Sequence, residues 1–474
     1  MRAWLLSAGL AASAFACSKS NPAAKCTSNN TCIDPAYPFC DVDGSIGGEP
    51  GTCIAVSCTP GSFGSCADAN TALVCSATGE TYDQQACQNG CDPNLGCVTC
   101  TPNTQSCSNN IATSCDAMGR LTTVTCAQGC SADATHCKEI VPSNGLGIYY
   151  GMATPQDLDL ASGTLELDGS TFDDGTNTIV LPSFDVPAPP GGAPIRVIVA
   201  KHLTLGDVII QSTTAQQSGS GGVGRAIAFL ATEDIDVAGR VVVKTGAVQD
   251  TACNAKAGLV VGACAGGSGG GGNATIGGGG GDSGISAKGG GGGSIAGGPE
   301  LIPLRGGCPG PAQVAWGHGG GAIQLTSRSN VNVSGLIIVD GSSVGGSGGG
   351  AGGGMLLEAP QVTLLTTSKL LARGGGGGSL TTSAPNPADD ATAPLGGTCS
   401  AGEPICGMGG DGATIAVAAT AGAAAGCATG TTHYGGGSGG GGLGRIRINT
   451  IDSTYANSAA AIAGDVTVGF ITLQ

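Results

Sequence analysis

Ninety of the 474 residues are glycine, and many of them stand in long runs. Nothing else in the sequence narrows the fold so far. Glycine has no side chain to bury and loses more conformational freedom on folding than any other residue. The runs lie at roughly Ala265 to Gly298, Gly345–Gly354, Gly374–Gly378 and Gly435–Gly444. Flexible loops are one reading of such runs. All four abut strand starts, however, and the join Gly222-Val223-Gly224-Arg225-Ala226-Ile227 recurs as Gly442-Leu443-Gly444-Arg445-Ile446-Arg447. Without a Cβ, extended glycine segments pack side by side through their backbones, as collagen chains do at their axis. An ordered polyglycine layer and flexible loops both stay open at this point.

Only 3% of residues are aromatic and 11% charged, which rules out one large core of the usual kind. Eighteen Lys+Arg against 33 Asp+Glu give a net charge of −15. That balance excludes a nucleic-acid partner, because phosphate binding needs concentrated Lys and Arg. No apolar run long enough to span a bilayer as a helix follows the N-terminus. Glycine runs also match phosphate-loop and nucleophile-elbow patterns trivially, as at Gly266–Gly270, and without a strand-turn-helix context these matches carry no weight.

The first residues read as an export signal over 1–16. Met1-Arg2 is a short positive region, Ala3 to Ala12 is apolar, and Ala14-Phe15-Ala16 places small residues at both positions of the cleavage motif. Cys17 follows directly, and a cysteine there resembles a bacterial lipoprotein whose thiol receives the lipid. Ala14 stands where that pattern usually has Leu. Parity supports the lipid reading, because removing Cys17 leaves 22 cysteines in even blocks. The blocks are Cys26, Cys32, Cys40, Cys53; then Cys58, Cys66, Cys75, Cys87, Cys91, Cys97; then Cys100, Cys107, Cys115, Cys126, Cys130, Cys137; and finally Cys253, Cys264, Cys308, Cys399, Cys406, Cys427. Even blocks are expected if each module closes its own disulfides in an oxidising space. Ordinary secretion with a free Cys17 is the alternative.

Two of the blocks are an internal repeat. Cys58-x7-Cys66-x8-Cys75-x11-Cys87-x3-Cys91-x5-Cys97 aligns with Cys100-x6-Cys107-x7-Cys115-x10-Cys126-x3-Cys130-x6-Cys137, and Gly90 and Gly129 share a slot. Modules this short cannot bury a self-sufficient core, so disulfides must hold them. Six cysteines allow 15 pairings, and the spacing does not choose among them. The Cys97-Val98-Thr99-Cys100 motif straddles the repeat boundary and has no second copy, so structural disulfides are preferred over zinc or redox chemistry. A spacer is the simpler role for these modules, and protein binding through exposed loops the sharper one.

The expected organisation is a linker at 17–25, a four-cysteine module at 26–55, six-cysteine repeats at 56–97 and 98–137, and a glycine-rich body at 138–474. In the body, Ile195–Leu205, Ala226–Val237, Ala322–Val333 and Met355–Leu364 share one pattern: a strand, a polar turn, then an apolar-polar-apolar triplet. Period-2 alternation predicts strands with one buried face, and repetition predicts stacking of coils. The fold class is therefore mainly β, disulfide-rich modules followed by a glycine-rich parallel β-helix. A β-sandwich is the alternative, but it favours more Tyr and Trp and even turn spacing.

In the solenoid register, Leu203/Leu205, Ile235/Val237, Val331/Val333 and Val362/Leu364 point inward. His202/Thr204, Asp234/Asp236, Asn330/Asn332 and Gln361/Thr363 then form an outward polar column. Thr204, Asp234, Asp236, Asn330, Asn332 and Thr363 are the candidate ligand-binding residues. Asp234 and Asp236 lie about 7 Å apart along one strand face, in reach of a cation or a sugar hydroxyl. Glycosidases need two carboxylates at a defined separation, so these two are also the best carboxylates for catalysis. Outward positions of any strand are polar, however, and no catalytic residue is assigned. Asp168, Asp173 and Asp174 read as turn residues before calcium ligands. The stretch Gly277 to Asp282 is similar to half of a calcium-binding nonapeptide but is not tandem. No cofactor or metal is expected, and calcium is unsupported. His136, His202, His318 and His433 are scattered and lack a second ligand nearby.

On the Cys58–Cys137 repeats and the glycine-to-strand joins, the chain resembles secreted lipoproteins of myxobacterial type, with cysteine-rich repeats of EGF-like size and a glycine-rich parallel β-helix. The resemblance is architectural and covers nearly the whole chain. It implies export and anchoring at the outer-membrane cell surface or release outside a bacterium. The function expected is a non-enzymatic structural or adhesin-like protein whose partner is an extracellular glycan or matrix component, touching the membrane only through a lipid anchor. The alternative is a β-helix polysaccharide hydrolase or lyase. An ice- or mineral-ordering surface rests only on regular outward Thr and Asn.

Overall fold

The structure is a computed structural model that describes residues 25–44, 49–212, 224–244, 253–311, 316–342, 344–379, 394–400, 405–427 and 434–474. The expected signal peptide, Cys17 and His433 lie outside the described residues. The fold is mainly β, with no closed barrel. Two compact units meet between Lys138 and Glu139, where the sequence reading placed the start of the body at 138.

Disulfides set the first unit. Each cysteine block closes within itself, and the two repeats share one connectivity. Cys58–Cys75, Cys66–Cys91 and Cys87–Cys97 correspond to Cys100–Cys115, Cys107–Cys130 and Cys126–Cys137. The pairing is first to third, second to fifth and fourth to sixth, which spacing alone had left open. The four-cysteine module pairs Cys26–Cys40 and Cys32–Cys53. Each repeat carries three antiparallel strands, Phe63–Asp68, Thr71–Cys75 and Tyr82–Ala86 in one, Gln105–Ser108, Ile111–Cys115 and Leu121–Thr125 in the other. Val56 and Val98 occupy the same place, each against a left-handed glycine, Gly79 (φ +71°) and Gly119 (φ +67°). At both glycines an added Cβ would collide with the valine side chain. Little else is buried, so covalent loops replace a core, each bridge contributing about 2–4 kcal/mol.

The second unit is built on two parallel ladders. One carries Ile195–Ala200, Ala226–Ala231, Ala322–Ser327, Gly354–Glu358, Arg445–Thr450 and Asp465–Phe470 in that order, with the antiparallel Ser183–Val186 at its start. The other carries Leu203–Gln211, then the pairs Ile235–Val237/Arg240–Lys244, Asn330–Val333/Leu336–Ile338, Gln361–Leu364/Lys369–Leu371 and Ala456–Asn457/Ala461–Ala463. The chain visits the ladders alternately, so one rung of each comes from each repeat. Sandwich sheets are antiparallel, and these long ladders are not. The structure adds rungs that the sequence pattern had not separated. One is Leu158–Glu166 beside Leu203–Gln211, and another is Arg445–Asn457 after the last glycine run.

Between the ladders lies one apolar core of Val, Ile and Leu with few aromatics, as the composition required. Leu203, Ile235, Val331 and Val362 form one inward row, and Leu205, Val237, Val333 and Leu364 the next, all fully buried. From the other ladder come Ile198, Phe229, Leu325, Leu357 and Ile448. Full burial of such side chains contributes about 1.5–3 kcal/mol each. The outer face of the ladder that contains Ile195–Ala200 is also covered, by residues 143–151 and by Leu301 and Leu304.

The glycine runs are ordered against one another. Gly267 and Gly270 donate to the carbonyls of Gly281 and Gly278; Gly280 and Gly277 donate to Gly290 and Gly293; Gly290 and Gly293 donate back to Gly267 and Gly270, at 2.8 to 3.0 Å. Three runs thereby close a ring of hydrogen bonds. Further runs join with the same step, as Gly436, Gly439 and Gly442 do on Ala265, Ser268 and Gly271. A pleated strand repeats every two residues, whereas a step of three belongs to an extended helix of three residues per turn, with no internal hydrogen bonds. Each backbone group must therefore find a neighbouring run. Most of these positions admit only glycine; a Cβ on Gly270, for instance, would overlap the carbonyl of Gly440. Each bond is worth about 0.5–1.5 kcal/mol, enough to offset glycine's extra ordering cost of about 0.5–1 kcal/mol. Disulfides Cys253–Cys308, Cys264–Cys427 and Cys399–Cys406 tie the run ends, as their placement in the insertions suggested.

Candidate binding surface

Burial of the Leu203 and Leu205 rows forces the intervening positions outward, since side chains alternate along a strand. The register then stacks Thr204, Asp236, Asn332 and Thr363 side by side, at the inter-strand spacing of about 4.8 Å. One residue pair earlier, Asp234 precedes Ile235 beside Asn330, which pairs with Gln361. The structure thus brings together all six residues singled out from the sequence. It adds Asp159, which pairs with Thr204 at the head of the row. The alternation Leu158-Asp159-Leu160 was the signal for it.

The row is knitted laterally. Asn330 Nδ2 donates to Asp234 Oδ1 at 2.9 Å, and the Asn330 N–H donates to the same oxygen at 3.1 Å. Asn332 Nδ2 donates to Asp236 Oδ1 at 2.9 Å, and His202 Nε2 lies 3.2 Å from Asp236 Oδ2. Alongside, Lys201 Nζ stands 3.4 Å from Glu233 and 4.0 Å from Asp157. Both carboxylates of the best acidic pair are therefore held by amides of the next strand, on a face that stays half-exposed. Charge falls along the row, from Asp159 and Asp236 to Asn332 and Thr363. Such a surface presents repeated short donors and acceptors to solvent.

The other acidic centre is closed. Glu358, 2% exposed, accepts from Ser143 N–H and Oγ, Gln324 Nε2, Thr326 Oγ1 and Asn449 Nδ2 at 2.6 to 3.1 Å. It anchors residues 143–151 onto the ladder. Nearby, burial pushes the Tyr150 phenol well above its ordinary value, and Arg328 stacks 4.2 Å from its ring centre. Sequence reasoning passed over Glu358, whose only signal was an acid ending an apolar strand.

The remaining candidates resolve as local structure. Asp174 Oδ1 accepts from Thr176 N–H and Oγ1 and from Asn177 N–H, and Asp173 accepts from Gly175, so both are turn residues. Asp168 receives Ser212 Oγ and lies 3.5 Å from Arg225. Asp282, at the end of the nonapeptide-like stretch, pairs with Lys288 at 2.7 Å within the glycine layer. Burial holds the half-buried His318 imidazole below its ordinary value. Two cysteine groups have metal-like clustering, Cys26/Cys32/Cys53 and Cys107/Cys126/Cys130, but every one of those sulfurs is in a disulfide. Cys97 and Cys100 of the CxxC likewise pair elsewhere, with Cys87 and Cys115. Among the described residues no helix is long and apolar enough to cross a membrane. Protein-family models, curated proteins and solved structures offer no match, so the reading of this surface rests on its own chemistry.

Proposed function

We propose that the chain is a non-enzymatic, exported surface protein of adhesin type, related in architecture to the secreted lipoproteins named above. In this reading the body is a parallel β-helix, and its exposed polar row binds an extracellular glycan or matrix component. The observation that carries it is the lateral engagement of Asp234 and Asp236. Acid catalysis on a glycosidic bond needs one carboxyl free to donate a proton and a second across the sugar. Two carboxylates on one flat strand face, each accepting from a neighbouring asparagine, serve recognition better than proton transfer. The eleven disulfides among the described residues fit an oxidising, extracellular setting.

The cysteine-rich unit serves as the spacer, and Cys17 as the lipid anchor at the outer membrane. A backbone bond that crosses the repeat boundary, Val98 N–H to Gly90 O at 3.2 Å, supports a stiff rather than a loose stalk. The deciding experiment incubates the protein with a panel of bacterial and plant polysaccharides, following retention and newly formed reducing or unsaturated ends together. Retention without new ends, weakened by Asp236→Ala, is expected. New ends that vanish in an Asp234→Asn/Asp236→Asn double variant would make the protein a hydrolase or lyase. For the anchor, globomycin should leave an uncut precursor, and normal processing under the drug would remove Cys17 from the account.

A further inference from the structure

The two ends of the parallel ladders are finished differently. At the N-terminal end the antiparallel strands Thr171–Asp173 and Thr178–Val180 fold back beside Leu158–Glu166, and Leu167, Phe172 and Leu181 are buried against the core. At the C-terminal end the last strand, Asp465–Phe470, pairs only with Arg445–Thr450 among the described residues. Its inward row continues the core, with Val466 opposite Ile446 and Val468 opposite Ile448. Yet Val468 is 45% and Phe470 69% exposed, whereas Ile446 and Ile448 are buried. Among the described residues nothing covers this end of the core row.

The open edge carries an ordered set of hydrogen-bonding groups. Asp465 N–H donates to Gly444 O and Ile471 N–H to Thr450 O, both toward the preceding strand. Alternation along a strand then turns the N–H and C=O of Val466, Val468 and Phe470 to the open side. Natural edges are normally guarded by charge, proline or a bulge. In 456–474 the sole charged residue is Asp465, and it is paired with Arg445 at 3.1 Å. The edge strand therefore adds no unpaired charge of its own against a second copy.

We propose that this edge is an interaction surface whose occupant is the same edge of a second copy. Val466, Val468 and Phe470, whose backbone groups face the open side, are self-complementary under a two-fold axis through Val468. Val468 faces its own counterpart, and Val466 of each copy faces Phe470 of the other, in antiparallel hydrogen-bonded pairs. The aromatic–β-branched pairs so formed are among the favourable cross-strand contacts, and they cover the open ends of both cores. A head-to-tail arrangement would use the ladder's other edge, Ser183–Val186, which is guarded by charge, with Asp185 beside Arg196 and Arg225. The contact is isologous and closes at two copies, giving a dimer and not a fibre. A six-residue edge is small against the roughly 800 Å² per partner of standard interfaces, so the dimer is concentration-dependent.

The test is the mass of the full chain in solution by sedimentation velocity over a hundredfold dilution. Wild type is expected to pass from two chains to one on dilution. Val468→Lys, which places a charge at the centre of the edge, is expected to be monomeric throughout, and Val468→Thr, which keeps shape and backbone, to dimerise. Circular dichroism of each variant confirms that it is folded. If Val468→Lys unfolds, Phe470→Ser is read in its place and should raise the dissociation constant at least tenfold. A wild-type monomer at every concentration overturns the proposal. A dimer unaffected by both edge substitutions, or an oligomer larger than two, does so as well.

Discussion

The cysteine-rich unit and the glycine layer solve one problem in opposite ways. Neither can bury many large side chains, so neither can rest on the hydrophobic effect alone. The repeats at 58–137 close short loops with three bridges each, which removes conformations from the unfolded chain. The glycine layer instead joins runs from distant parts of the chain through backbone hydrogen bonds, such as Gly271 to Gly349 and Gly442 to Gly271. Stability in the first region is local and covalent. In the second it is non-local, and it leans on the ladder core to hold the runs in place.

That contrast is most sharply broken by reduction. Thiol reduction of the native chain should expose residues 56–137 to protease within minutes, while the buried strands Ala226–Ala231, Ala322–Ser327 and Gly354–Glu358 stay protected. Equal cleavage of both regions would remove the distinction. Before reduction, alkylation of residues 26–137 should find no free thiol.

Glycine substitutions probe the other side. Gly270→Ala drives a Cβ into the Gly440 carbonyl and should cost about 3 kcal/mol or more, at the upper end of overpacking effects. Gly291→Ala meets nothing within 4 Å and should be neutral or stabilising by up to about 1 kcal/mol. Similar thermal shifts for the two variants would mean that the layer does not form.

Charge provides a further comparison, inside the second unit. Arg373 Nη2 and Asp340 Oδ2 meet at 2.7 Å with both side chains 6% exposed, so Asp340→Ala should lose about 3–5 kcal/mol by stranding a buried cation. Lys288→Ala, which breaks the exposed pair with Asp282, should change stability by less than about 1 kcal/mol. Chemical denaturation of both variants reads the difference.

Proton titration gives the smallest effect and treats the two units alike. Hydrogen bonds from Ser131 and Thr135 hold Asp133 at about 2 against an ordinary 3.8, and those from Thr176 and Asn177 do the same for Asp174. Depressed carboxyls support the fold fully above pH 3.8 and lose that support as the pH falls through about 2. His318, lowered by burial from 6.5, adds support that is full above pH 6.5 and is lost as the pH falls through its lowered value. Carboxyl and imidazole NMR titrations check each midpoint, and a His318 midpoint at or above 6.5 would contradict its burial.

Much of the second unit was readable because a period-2 alternation has only two registers on a buried face. Leu203, Ile235, Val331 and Val362 could stack inward in one way, and that placed Asp236 beside Asn332. Asp159 and the Arg445–Asn457 rung were readable in principle but lacked the turn spacing of the other segments. Glu358 was not, because its five donors come from three segments far apart in the chain, at Ser143, Gln324 with Thr326, and Asn449. Nor could spacing choose a disulfide pairing out of 15; that depended on which strands lie adjacent once folded.

By itself the sequence determined the cysteine blocks, the strand registers and the need for glycine wherever backbones touch, because parity, alternation and the missing Cβ are local properties. The tertiary structure decided which run bonds to which, that the row's carboxylates are held by Asn330 and Asn332, and that one end of the core is filled by Phe172 while the other is left at Phe470. Those outcomes depend on distances between residues far apart in the chain, set by how many rungs stack between them.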